Sequence, residues 1–238
     1  PLPGGALAPW KESRPFPGEG LSCLTSVSTP GYIHILGGYT QSNLPTNQVH
    51  SGRIGNSGEI VEWIKGPELP RPLWFHSAAV AGGRVWVWGG LQTPKNREVS
   101  RDVYSAPILG SGRIGKWRVE ENSLPVGFYR SSCTSVGDYL LSFSVSYANG
   151  KITSDAWFTQ LKGDGLSDWS RLSTGIGARV YCSAAPDFRK NNIYIPGGRN
   201  NISNRIVDNK VYLFRMSGAK SQQLASSEQT IRQAGGSG

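Results

Sequence analysis

Four tryptophans, Trp10, Trp63, Trp117 and Trp169, stand 53, 54 and 52 residues apart, and no other feature of this 238-residue chain restricts its fold as much. Three residues before each lies an aliphatic side chain: Leu7, Ile60, Ile114 and Leu166. Small turn residues come just ahead of these, at Gly5, Gly58, Gly112 and Gly165. The four segments read GGALAPW, SGEIVEW, SGRIGKW and GDGLSDW. A fixed internal period of this size marks a ring or stack of like units, each too small to bury its apolar face alone.

Other landmarks keep the same phase. Small-residue runs (SCLTSV, HSAAV, SCTSV, CSAA) precede apolar runs (YIHIL, RVWVW, YLLSF, IYIP). Three apolar runs end in diglycine, at Gly37-Gly38, Gly89-Gly90 and Gly197-Gly198, and the third copy has Phe143-Ser144 in that place. A further run follows, centred on Val49, Val103, Ala156 and Val211. Short apolar or alternating runs between turn residues are strand signals. Each unit therefore holds four strands: a small-residue strand a beside a common axis, an apolar strand b, then strand c, and a strand d that starts at the tryptophan.

Four twisted strands per repeat make a propeller blade. The expected fold is all-β, a β-propeller of four four-stranded blades over residues 1–216, followed by a linker-like or flexible tail over 217–238 rich in Ser, Gln, Ala and Gly. The first landmark, Trp10, is of d type, and the last clear run, NKVYLFR, is of c type. The N-terminal strand is thus expected to close the last blade and hide its edges. The rival arrangement is a piece that completes a larger ring with another chain, and the Pro1-Leu2-Pro3 start suggests a processed product or a fragment.

The phased tryptophans, strands and diglycines resemble the Kelch and galactose-oxidase-like propeller family over roughly residues 5–216. The third copy departs from the pattern by lacking the diglycine, and the tyrosine usual after strand b is present only as Tyr39. The galactose oxidase resemblance brings copper into question, since that activity needs Tyr and His ligands. This chain has only His34, His50 and His76, in no converging spacing, so neither metal nor cofactor is expected. Sialidase-type turns need Ser-x-Asp-x-Gly before an aromatic residue, and GDGLSDW has its glycine in the wrong position.

Composition narrows the partners. There is no stretch of eighteen apolar residues, so no membrane span is expected. Cys23, Cys133 and Cys182 are odd in number and widely spaced, which favours buried free thiols over a disulfide framework. A net charge of +9 favours anionic partners, or serves solubility alone. Nucleic acid is a poor fit, because no basic run or stacking platform accompanies the charge. A Ser/Asn/Thr-rich, Lys-poor composition leans towards an extracellular or surface setting and leaves the cytoplasm open; Asn201-Ile202-Ser203 matches the glycosylation acceptor pattern.

In a propeller the b→c and d→a connections share one face. The b→c loops here are long and polar (YTQSNLPTNQ, LQTPKNREVSR, SVSYANGKIT, RNNISNRIV), and long loops on a rigid scaffold are where function collects. The d→a segments PRPLWF, PVGFYR and GARVY bring Trp74, Phe128, Tyr129 and Tyr181 to the same mouth. The candidate ligand-binding residues are Arg71, Trp74, Arg97, Tyr129, Arg130, Tyr147, Arg179, Tyr181 and Arg199. Aromatic rings stack on sugar faces and cations, and arginine forks take carboxylate or sulfate. The competing account is that these aromatics pack between blades, and for the four repeat tryptophans that account is preferred. No catalytic residues are expected, because a glycosidase needs two carboxylates at a fixed separation and the sixteen acidic residues show no pairing at this mouth. The expectation is a non-catalytic recognition module for glycan, anionic glycan included, or for protein–protein interaction, within a larger extracellular or surface assembly. The alternatives are a structural subunit of an oligomer or filament and, behind it, a glycosidase or polysaccharide lyase.

Overall fold

The period-two patterns of the sequence become hydrogen-bonded register in a computed structural model, which describes residues 11–95, 98–178, 182–187, 192–199 and 210–215. Four antiparallel sheets form the blades of a β-propeller. The first holds Thr25–Thr29, Tyr32–Leu36, Val49–Ile54 and Ile60–Lys65 as strands a to d. The second holds Ser77–Ala81, Arg84–Trp88, Val103–Pro107 and Arg118–Val119. The third holds Ser132–Val136, Tyr139–Phe143, Asp155–Lys162 and Ser170–Ser173. The fourth holds Ala185–Asp187, Asn192–Pro196 and Val211–Arg215 as its a, b and c strands. The expected closing strand at Trp10 and the tail over 217–238 lie outside the described residues.

Register confirms the repeat residue by residue. Val49, Val103, Ala156 and Val211 each lie opposite the last residue of their strand b, namely Leu36, Trp88, Phe143 and Pro196. They therefore sit at the beginning of strand c and not at its centre. Strand d also differs from expectation: in the first blade it starts three residues before Trp63, whereas in the second and third it starts one residue after Trp117 and Trp169. A Gly-containing turn of variable length sets where pairing with strand c resumes, so the tryptophan marks the strand only approximately.

Strand a of each of the first three blades packs against strand a of the next. Small side chains allow that approach, and several also tie the blades together. Ser135 Oγ donates to the Val80 carbonyl at 2.8 Å, and the Cys133 thiol donates to the Ala78 carbonyl at 3.4 Å. All three cysteines are free and half-buried, and burial pushes the Cys133 thiol pKa up.

The core is divided among the seams between blades. Leu36, Leu73, Val87 and Trp117 belong to the first seam, Trp86, Trp88, Leu140 and Trp169 to the second, and Leu141, Phe143, Ile193 and Ile195 to the third. Trp117 and Trp169 are buried there, and the Trp117 indole donates to the Pro67 carbonyl of the preceding connection at 2.9 Å. Trp63 is half-buried, donates to the Arg14 carbonyl at 3.2 Å and meets the Phe16 ring edge-on at 5.5 Å. These three are packing residues; Trp10 lies outside the described residues. Among the described residues, no helix is long and apolar enough to cross a membrane.

Candidate functional site

The chain enters each of the first three blades in the same way on the b→c face. The segment before strand a pairs with the chain just after strand b: Leu21–Ser22 with Tyr39–Thr40, Trp74 with Leu91, and Phe128–Tyr129 with Ser146–Tyr147. A residue with positive φ then turns the chain into strand a, namely Cys23 at 53°, Phe75 at 53° and Arg130 at 54°. The Phe75 amide donates to the Cys23 carbonyl at 2.9 Å, and the Arg130 amide donates to the Phe75 carbonyl at 3.0 Å. A backbone girdle thus runs from blade to blade around the axis. Non-glycine residues in this region carry strain of about 1–3 kcal/mol each, which persists only where surrounding structure holds it.

The girdle surrounds a cavity of about 310 Å³. The starts of all four a strands line it, through Thr25, His76, Ser131 and Ser183 among others, which places the cavity on the propeller axis. Among the described residues its wall is mostly hydroxyl, thiol and backbone, with no acidic side chain and one arginine, Arg130. Several hydroxyls are held in place by neighbouring blades. Thr25 donates to the His76 carbonyl at 2.9 Å, Ser132 donates to the Cys182 carbonyl at 2.5 Å, and Ser131 shares hydrogen bonds with Ser77 and Ser142.

An aromatic run leads across the face to this cavity. Tyr39 and Trp74 have ring centroids 4.6 Å apart, Trp74 and Phe75 4.8 Å, and Phe75 and Tyr129 6.5 Å. The Arg130 guanidinium lies over the Phe75 ring at 4.3 Å and near the Tyr129 ring at 5.5 Å. Its Nε is shielded from solvent and makes no hydrogen bond, and the same holds for the Trp74 indole nitrogen. The arginine forms no ion pair among the described residues. Away from this face the pattern is different: Arg118 pairs with Glu120 at 2.8 Å and Asp164 at 3.0 Å.

The other expected site residues divide sharply. Arg71 is exposed at the rim and donates weakly to Gln92 at 3.4 Å. Tyr129 is buried beneath Arg130. Tyr147 uses its hydroxyl inside the third blade, accepting from the Trp157 indole at 3.0 Å and donating to Asp155 at 3.3 Å. Arg199 follows the diglycine of the fourth blade and is half-buried. Arg97, Arg179 and Tyr181 lie outside the described residues. Sequence reasoning passed over Phe75 and Tyr39 as site residues. Phase was the available signal for Phe75, which occupies the same turn as Cys23 and Arg130, two residues before strand a.

Three of the acids near this face are engaged. Asp155 bonds Arg171 at 3.0 Å, Asp102 accepts from the Tyr104 hydroxyl at 2.8 Å, and Glu19 binds the Ser42 amide and hydroxyl. The Ser42 hydrogen bonds hold the Glu19 carboxyl below its ordinary range. The three histidines occupy separate surroundings. His34 is bonded to Thr29 and Ser51, His50 lies against Phe16, and His76 is buried without a hydrogen bond. No group of three or more His, Cys, Asp or Glu suited to a metal ion occurs among the described residues.

No protein-family profile matches the chain, and no curated protein does either. Among solved structures, the one titled "Structure of YjhT" aligns with a TM-score of 0.70 at 15% identity, covering 92% of this chain and 74% of that one. At that identity the likeness is one of fold.

Proposed function

We propose that this propeller is a non-catalytic recognition module that binds glycan through its b→c face, as part of a larger extracellular or surface assembly. One observation carries the reading: Tyr39, Trp74 and Phe75 form a continuous, half-buried aromatic strip that ends at an arginine with no ion pair among the described residues, beside an axial cavity. Flat rings offer apolar area to the C–H faces of a sugar at little entropic cost, and partly exposed rings in contact with one another make a platform longer than one ring. Asp155, Asp102 and Glu19 near the face are held by hydrogen bonds or ion pairs, which counts against a free pair of carboxylates for glycosidase chemistry. The phased repeat supports assigning the chain to the Kelch-like propellers, a grouping that stands or falls separately from the ligand.

A glycan array probed with the labelled protein tests the reading, followed by titration of the best ligand against the wild type and Trp74→Ala. Binding should weaken by about 1–3 kcal/mol, a factor of about 5 to 150, when the indole is removed. Unchanged affinity in a folded Trp74→Ala protein, or an array without any bound glycan, would remove the reading.

A further inference from the structure

We propose that the axial cavity is an oxyanion subsite: it takes the carboxylate or sulfate group of an acidic ligand, with Arg130 as the binding cation. The attachment of that group to a sugar depends on the glycan reading above; the subsite itself does not. Three observations converge on it. First, among the described residues the cavity lining contains one arginine and no carboxylate, which favours an anion there. Second, the guanidinium is held from one side only. Phe75 supports its flat face at 4.3 Å, no acid pairs with it among the described residues, and its Nε has no hydrogen-bond partner. A buried donor left unsatisfied is a cost that a ligand oxygen recovers. Third, the rest of the wall is polar and positioned. The Thr25 and Ser132 hydroxyls donate to carbonyls of neighbouring blades, and Ser131 bonds Ser77 of the second blade, so the positions they keep are acceptors that can hold ordered water against a bound anion.

Size and geometry fit that group. A volume of about 310 Å³ is at the small end of ligand pockets, enough for an anionic substituent and part of the unit that bears it. A guanidinium fork binds planar carboxylate or a sulfate face through two parallel hydrogen bonds, and an aromatic ring behind it preserves its orientation. The φ of 54° at Arg130 directs this side chain across Phe75, although a non-glycine residue at that φ is strained. Arg130 is accordingly the residue that separates acidic from neutral ligands.

The test uses the whole chain and the variant Arg130→Asn, chosen because asparagine tolerates left-handed φ and should fold. Sodium sulfate and sodium acetate are titrated separately at constant ionic strength against chloride, while the Arg130 Nε–H resonance of the wild type is followed by NMR. One or both anions should shift that resonance saturably, and the one that does identifies the preferred group. The anion should also raise the melting temperature of the wild type but not of Arg130→Asn. On the array, acidic glycans should outrank their neutral parents by about tenfold or more, and Arg130→Asn should lose that margin while still binding neutral ones. An Arg130 resonance unmoved by both anions overturns the subsite, as does an acidic preference that survives in Arg130→Asn. Saturable anion binding with an empty array leaves the subsite standing and overturns the glycan reading instead.

Discussion

Burial of His34 and His76 gives this protein a predictable response to acid. His34 is wholly enclosed, with Thr29 on Nε2 and Ser51 on Nδ1, each at 2.8 Å. His76 is enclosed with no hydrogen bond at either nitrogen. Loss of solvent pushes both pKa values from about 6.5 down to about 4. Between those limits the unfolded chain binds protons that the folded chain refuses, so stability falls as pH drops from about 6.5 to about 4. The slope is at most ~1.4 kcal/mol per pH unit for each ring. Thermal melts at pH 7, 6 and 5 should show a steady fall in Tm, above the range in which carboxylates titrate; a flat Tm across that interval would contradict this account. Ser144 supplies a second residue-scale prediction. It holds the first diglycine position of its blade at φ 57°, and its buried hydroxyl has no partner. Ser144→Gly should therefore raise stability by about 1–2 kcal/mol, from relief of left-handed strain and of one unsatisfied group. Denaturant unfolding of the two proteins measures this, and equal or lower stability of the glycine form would show that the site is not strained.

At the scale of elements, the seams between blades carry the energy. Trp117 is 7% exposed in the first seam and satisfies the Pro67 carbonyl, while Trp63 is half-buried and covered by residues 14 and 16. Trp117→Ala should cost about 3–5 kcal/mol, through a cavity and an orphaned carbonyl, and Trp63→Ala clearly less. Equal losses in urea unfolding would mean that the seam is not what the indole stabilises. The same elements show what the sequence disclosed. Blade number, blade phase and the packing role of Trp63, Trp117 and Trp169 were legible, because periodic burial writes itself into residue type. The third diglycine was misplaced by one residue: the Ser144 amide bonds the Asp155 carbonyl as Gly37 bonds Gln48 and Gly89 bonds Asp102, so Ser144-Val145 is the equivalent pair. Without glycines, only hydrogen-bond register identifies it. The site was legible as a face but not as a constellation. Trp74 and Arg130 were named from their loops, whereas Phe75, which supports the arginine, looked like one more aromatic in PRPLWF. Tyr147 resembled a ligand residue in sequence because its bonds to Trp157 and Asp155 depend on pairing between strands that composition does not reveal.

For the whole molecule, the question is whether the blades open singly or together, since a recognition face built across blades needs them fixed relative to one another. The second blade is the linchpin. In its b strand Val85, Trp86, Val87 and Trp88 are fully buried, the valines in the first seam and the tryptophans in the second. Exposing this strand requires breaking both seams, so its amides should exchange with solvent only through global unfolding. Ile60–Lys65, at the outer edge of the first blade, is half-buried or exposed along its length and should exchange through local opening. Native-state hydrogen exchange across a denaturant series should give Val85–Trp88 the free energy and denaturant dependence of global unfolding, and Ile60–Lys65 a lower, nearly denaturant-independent value. The girdle amides of Phe75 and Arg130, bonded from blade to blade, should follow Val85–Trp88. If they exchanged as easily as the outer edge, the seams would breathe under native conditions, and a binding face that relies on Arg130 staying above Phe75 would have no rigid support.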